Sequence, residues 1–172
     1  MTETVQQYIG RLTGLVGDQD PWDVLSGTPR RLRSLVSGAT PRELAWTPSP
    51  GRWSVGQIAA HLSDAEIVGA WRIRSLLASD GVTLQAYDQE KWASAFRYET
   101  REPARSVDLF EALRTATLEL LRTVDPGRLD HAGLHEERGR ESIRNLMRMY
   151  AGHDLNHLGQ IERLLNEARR AS

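Results

Sequence analysis

Two histidines with the spacing of a metal-binding pair, His153 and His157, lie in the last predicted helix of the chain. Residues four apart on a helix share one face, and Tyr150 and Ile161 bracket the pair in its apolar stripe. Burying two adjacent imidazoles without partners costs up to several kcal/mol of desolvation. A divalent cation held between them removes that cost, because each ring then gives a lone pair to the ion. The pattern therefore predicts part of a metal site.

A third ligand has to come from another helix of the bundle, and His61 is the histidine on another long predicted helix. Three histidines would hold Zn²⁺ or Ni²⁺ and leave a coordination position open for water. An open position provides Lewis acidity, a water of lowered pKa or a place for a substrate thiolate. The residues thus favour a catalytic metal centre on His61, His153 and His157.

A second pair with the same spacing, His131 and His135, has a different context. It encloses Gly133, follows Pro126-Gly127 and lies in a polar stretch without an apolar stripe. We interpret this pair as part of a loop rather than a metal site.

Two acidic residues near the histidines are candidate proton acceptors, Glu66 and Asp154. Asp154 takes the place of the glutamate in the His-Glu-x-x-His pattern of zinc proteases, but its side chain is shorter and no third ligand follows downstream. Asp154 lies on the flank of the stripe, beside the ligands or in solvent. Glu66 falls near the inward face. It could be a fourth ligand or a general base, but we favour an ion pair with Arg114. Asp64 is expected to point outward.

Three further side chains are candidates for binding a cofactor or substrate: Tyr150, Gln160 and Arg114. Gln160 lies on the same face as the two histidines of the last helix and can orient a ligand. Tyr150 can donate its hydroxyl at the site, although packing is the commoner role of an inward tyrosine.

Apolar residues recur at helical spacing through most of the chain, which predicts an all-α fold. No strand pattern or repeat is evident, and residues 39–53 and 79–105 read as long connections, the second with a short helix over 88–95. A connection of this length predicts a crossover between bundle helices. Residues 20–38 are one kinked helix or two short ones. The prediction is a single domain over 1–172, a four-helix bundle with an extra N-terminal helix, whose helices cover 3–16, 20–38, 54–78, 106–124 and 142–168.

Composition excludes several classes of protein. The 172 residues carry a net charge of −1 without a basic cluster, which argues against nucleic-acid binding. The chain has no cysteine and therefore neither disulfides nor a thiolate nucleophile. The first residues lack the pattern of a signal peptide, and no window approaches the ~20 apolar residues of a membrane helix. We expect a cytoplasmic protein that does not associate with membranes.

Two stretches resemble the signatures of the DinB-like, YfiT-type superfamily, one from Pro50 to Glu66 and one from Gly152 to Gln160. The resemblance covers nearly the whole chain. It implies a four-helix bundle, often a homodimer, with a divalent metal on three histidines, which here are His61, His153 and His157. Relatives include metal-dependent S-transferases that use low-molecular-weight thiols such as bacillithiol, mycothiol or glutathione, a maleylpyruvate isomerase, and proteins labelled metal-dependent hydrolases.

The leading hypothesis from the sequence is a metal-dependent transferase in which a small thiol, bound as thiolate, attacks an electrophilic small molecule. Glu66 or Asp154 would accept a proton. The alternatives are a metal-dependent hydrolase of a small amide or ester and a non-catalytic metal-binding bundle that acts in stress response.

Overall fold

Four long helices form a bundle in the computed structural model, which describes residues 3–171. Met1, Thr2 and Ser172 lie outside the described residues, and with them the ends of the predicted domain and the start of the segment searched for a signal peptide. The helices are α1 Val5–Val16, α2 Pro21–Ser37, α3 Pro41–Ala45, α4 Val55–Ala78, α5 Gln89–Ala95, α6 Pro103–Thr123 and α7 Ile143–Arg170. The bundle consists of α2, α4, α6 and α7, and α1 packs on α7 as the predicted extra N-terminal helix.

The predicted starts of α4 and α7 are correct because their capping residues behave as expected, whereas α6 begins at Pro103, before the predicted Ser106, with Glu102 as its cap. Ser54 accepts a hydrogen bond from the backbone of Gln57 at the start of α4, and Gln57 returns one to Ser54. Ser142 caps α7 in the same way through Asn145. The choice left open over residues 20–38 is settled as a single helix, α2, with Pro29 inside it.

The expectation that the chain has no strands is wrong. Three short strands form a small sheet, β1 Thr83–Leu84, β2 Ala132–His135 and β3 Gly139–Ser142. β1 pairs with β2 in parallel and β2 with β3 antiparallel. Strands of two to four residues are too short to show a period-two pattern, so the sequence carried no signal for them.

The long segment after α4 is also more structured than a simple crossover. It contains β1, α5 and a 3₁₀ turn at Tyr98–Thr100 before α6 begins. Residues 39–53 likewise contain the short helix α3. Among the described helices, none is long and apolar enough to cross a membrane.

Candidate metal centre

A layer of polar side chains crosses the bundle between two separate apolar clusters. One cluster includes Ile73, Leu76 and Leu146, and the other includes Ile58, Leu62 and Ile161. Helices α4 and α7 contribute residues to both clusters, so each of these helices is packed in an apolar cluster on both sides of the polar layer. The polar layer is formed by His61, Glu66, Arg114, His153, Asp154 and His157.

The three histidines predicted as metal ligands lie together. His61 comes from α4 and is fully buried, and His153 and His157 come from α7 and are partly buried. The Nε2 atoms of His61 and His153 are 3.0 Å apart. One ring nitrogen from each of the three histidines lies within 4.8 Å of the others. Tetrahedral zinc with bonds of 2.0–2.1 Å requires ligand atoms about 3.3 Å apart, and the 3.0 Å between His61 and His153 is close to that distance.

The hydrogen bonds of the histidines also fit a metal. The Nδ1 atom of His61 is buried without a partner in the described part of the chain, while its Nε2 faces another ring nitrogen. The Nδ1 atom of His157 is 3.1 Å from the Oε1 atom of Gln160. An amide oxygen accepts from Nδ1–H, so Gln160 selects the tautomer whose Nε2 lone pair is free for a metal.

All three imidazoles are held in the neutral form that metal binding requires. Burial lowers the pKa of His61 to about 3, with a further effect of His157. Burial also lowers the pKa of His157 to about 4, although its bond to Gln160 opposes this. The pKa of His153 falls well below its usual value, for the same reason and because His157, His61 and Arg114 lie nearby.

Next to the histidines, Arg114 holds both acidic residues that were considered as proton acceptors. Its Nε and Nη2 atoms donate to Glu66 at 3.0 and 2.7 Å. Its Nη1 atom donates to Asp154 at 2.6 Å and to the Leu25 carbonyl at 3.1 Å. All three charged side chains are buried. The favoured ion pair of Glu66 with Arg114 is therefore present, and Asp154 lies in the interior instead of on a solvated flank.

This ion network leaves the carboxylates little freedom. Burial alone would lower the pKa of Arg114, but the charges of Asp154 and Glu66 raise it above its usual value, so the guanidinium stays charged. A catalytic role for Glu66 or Asp154 stays a prediction. In the geometry present, they fix Arg114 and, through the backbone of α7, the neighbouring His153.

Asp64 is not outward, contrary to the sequence prediction. It is 3% exposed and accepts hydrogen bonds from the Tyr98 hydroxyl and from Arg101, both at 2.8 Å. The residues of the connection between α4 and α6 fold back over this side of α4. Helical periodicity could not predict this cover, because it comes from a segment without its own strong pattern.

A cavity of about 220 Å³ opens beside His153. Tyr150, a predicted binding residue, lines it, and its ring centre is 6.4 Å from that of His153. The Tyr150 ring lies so close to α4 that a Cβ atom at Gly69 would be 2.7 Å from its Cζ atom. Glycine at this position therefore gives the tyrosine its place against α4.

Sequence reasoning missed the cavity's other polar residues, among them Arg72, Arg138 and His135. The interpretation of His131 and His135 as loop residues is wrong for His135, which ends β2 and is 1% exposed. Within residues 3–171, neither belongs to a cluster of three metal-ligand side chains. Arg72 carries no motif, so nothing in the sequence distinguished it from the other arginines.

A second depression, of about 200 Å³, lies against His157 and Gln160 and is bordered by Trp53 and Gln89. The tilted rings of Trp53 and His61 are 5.0 Å apart at their centres. The histidine cluster is thus approached from two sides, through the cavity at His153 and through this depression at His157.

Comparison with known proteins supports the fold and identifies a family to which the chain is similar. The family model described as the DinB superfamily matches residues 25–161. The structure resembles that of YfiT from Bacillus subtilis, with a TM-score of 0.79 and 24% sequence identity over 86% of this chain and 85% of that one. That protein is described as having an unusual four-helix bundle topology, and the likeness supports the predicted all-α bundle.

Several curated relatives align with most of the chain. A protein of Oceanobacillus iheyensis is 27% identical over 77% of this chain and 76% of its own length. One of Halalkalibacterium halodurans is 28% identical over 80% of each chain. Both carry the provisional name of metal-dependent hydrolase.

Proposed function

The chain belongs to the DinB superfamily, and from that premise we propose that it is a metal-dependent hydrolase of a small amide or ester. The observation that carries the proposal is the cluster of three histidine nitrogens within 4.8 Å of one another. The provisional names of the relatives agree with this reaction class. Hydrolysis, the alternative in the sequence analysis, therefore becomes the first candidate.

His61, His153 and His157 would hold the metal, and its identity as zinc or nickel belongs to the proposal. A divalent metal on three imidazoles supplies Lewis acidity and lowers the pKa of a coordinated water. The Nε2 atom of His61, 3.0 Å from Nε2 of His153, faces the place that the ion would take. Gln160 keeps the proton of His157 on Nδ1 and so keeps Nε2 available.

Tyr150 would bind the substrate. Burial raises the pKa of its hydroxyl above the usual value, so the group stays protonated and can donate a hydrogen bond to a carbonyl oxygen in the cavity. The apolar clusters above and below the polar layer limit the water that reaches the histidines. Polar interactions gain strength where water is excluded.

A second candidate is the thiol-dependent transferase, and two observations favour it. Both buried carboxylates beside the histidines are bound to Arg114, and a thiol ionises more readily than water without a strong base. The depression at His157 and the cavity at His153 would also allow a thiol and an electrophile to approach from different sides. A purely metal-storing bundle has no need of such a cavity.

The test measures turnover of the metal-reconstituted protein on activated esters and anilides of short acids, with and without added small thiols. Hydrolysis without thiol, lost in His157→Ala and retained in His131→Ala, is the expected result. Both histidines are partly buried, but His131 lies outside the cluster. Turnover that requires a thiol would replace the hydrolase with the transferase. No metal-dependent turnover in either condition contradicts both.

A further inference from the structure

The cavity beside His153 contains an unusual set of polar groups. Hydrogen-bond donors dominate its lining, namely Tyr8, Tyr87, Tyr150, Arg72 and Arg138, together with His135. Its volume of about 220 Å³ is below the ~300 Å³ at which pockets for drug-sized ligands begin, so it suits a small molecule. The acidic residue in the lining, Glu137, is exposed.

Arg72 is a buried cation without a counter-ion. It is 4% exposed, and no carboxylate lies within ion-pair distance of it in the part of the chain that the structure describes. Its Nε atom has no hydrogen-bond partner there. Arg114, buried to the same degree, has two carboxylates. An uncompensated buried charge is unfavourable, so an anionic ligand at Arg72 would be stabilised by it.

The protein acceptors of Arg72 do not satisfy it. Its Nη2 atom donates to the Gln85 carbonyl and lies 3.0 Å from Nε2 of His135. The Tyr150 hydroxyl is also within hydrogen-bonding reach of Arg72, but like the other two groups it is neutral. The Nδ1 atom of His135 also faces the backbone N–H groups of Glu137 and Arg138, at 3.1 and 3.3 Å. A neutral imidazole has one acceptor nitrogen and cannot serve donors on both sides. Burial, with Arg138 and Arg72, lowers the pKa of His135 to about 4, so it is neutral.

The other groups of the cavity leave the positive charge of Arg72 in place. Arg138 is compensated by Glu141, with contacts of 2.6 and 2.8 Å. Burial raises the pKa of Tyr8 and of Tyr150, so both hydroxyls remain neutral donors. One unpaired guanidinium among phenol donors matches a ligand with a single negative charge better than a dianion.

We propose that this cavity binds a carboxylate, with Arg72 as its cation and the tyrosine hydroxyls as further donors. Because His153 lines the same cavity, the ligand's reactive group would extend from there toward the histidine cluster. That the carboxylate belongs to the substrate rests on the proposed function; the binding of the anion does not. The proposed substrate class is a small carboxylic acid that carries the amide or ester.

The experiment compares butyrate with butyramide, its uncharged isostere, and with inorganic phosphate, by calorimetric titration of the purified protein. A chelator-treated sample runs in parallel, because butyrate could otherwise bind to the metal itself. We expect butyrate to bind in both samples at least about tenfold more tightly than butyramide and phosphate, the size of one charge-assisted hydrogen bond.

Variants assign this preference to Arg72. Arg72→Met should remove the difference between butyrate and butyramide, and Arg72→Lys should retain part of it. Arg148→Met is the matched control, since Arg148 is partly buried and also donates to backbone carbonyls, of Thr13 and Gly17, but does not line the cavity. It should bind butyrate as the wild type does.

Equal binding of butyrate and butyramide to the wild type would overturn the proposal, as would unchanged butyrate binding in both Arg72 variants. Tighter binding of phosphate would overturn the carboxylate class. A protein that binds butyrate through Arg72 but takes up no metal would refute the proposed hydrolase and leave the anion site standing.

Discussion

Replacing Arg114 with methionine should strongly destabilise the protein, because it leaves Glu66 and Asp154 as buried carboxylates without a counter-charge. Both carboxylates are at most 5% exposed at their side chains, and the substitution also removes the hydrogen bond to the Leu25 carbonyl. Breaking a buried pair by removing one partner costs about 3–5 kcal/mol. If the free energy of unfolding falls by about 2 kcal/mol per molar of urea, the unfolding midpoint should fall by roughly 2 M.

The loss should also depend on pH. Without Arg114, burial and the neighbouring Asp154 raise the pKa of Glu66 further above its usual value, so the folded variant binds protons more readily than the unfolded one. Its deficit relative to wild type should therefore be largest near pH 8 and shrink toward pH 5. Adding Glu66→Gln and Asp154→Asn to the variant should recover part of the stability.

Arg33→Met provides the matched control, and urea unfolding followed by circular dichroism is the assay. Arg33 also bridges two carboxylates, Asp108 and Glu111, but its side chain is 46% exposed. Its loss should cost less than about 1 kcal/mol. An equally small loss in Arg114→Met, or a loss that does not change between pH 8 and pH 5, would refute the claim that this network is a buried, mutually dependent unit.

Three other predictions follow from the site and the surface. In the metal-free protein, the pKa values of about 3 for His61 and about 4 for His157 lie below the unfolded value of 6.5. The free energy of unfolding should therefore be highest above pH 6.5 and fall by up to about 1.4 kcal/mol per histidine and pH unit below it. A metal-free wild type that is no more acid-sensitive than His157→Asn in urea titrations would contradict this. Gln160→Leu should weaken metal binding about 10–100-fold in a chelator competition, and unchanged affinity would show that its bond to His157 is unimportant. Trp71 and Ile67 lie one turn apart on α4, 71% and 43% exposed, and we expect them to form a homodimer contact that Trp71→Glu disrupts in light scattering; a monomeric wild type would exclude it.

Helical periodicity was sufficient to predict that His61, His153 and His157 lie together, because each of them lies on a long amphipathic helix. The stripe of α7 fixed the direction of His153 and His157, and the buried length of α4 did the same for His61. The ion pair of Glu66 with Arg114 followed from the same reasoning. Such predictions succeed where the direction of a side chain depends on its own helix alone.

Features that depend on short or irregular segments between the long helices could not be predicted. Strand β1 pairs with β2 about fifty residues later, and this contact places His135 beside Arg72. Asp64 is covered by the chain around Tyr98, which turns back onto α4 after α5. Neither short strands nor an isolated arginine has a periodic pattern, so the histidines could be predicted from the sequence and the lining of the cavity could not.

The metal content of the purified protein tests the proposed metal centre most directly. Elemental analysis of the purified, reconstituted protein should find one divalent ion per chain in the wild type and in His131→Ala, and a large loss in His157→Ala and His61→Ala. Circular dichroism of each variant shows that the fold is intact. A wild type without stoichiometric metal after reconstitution, or a folded His157→Ala that keeps its full metal content, would contradict a metal centre on His61, His153 and His157.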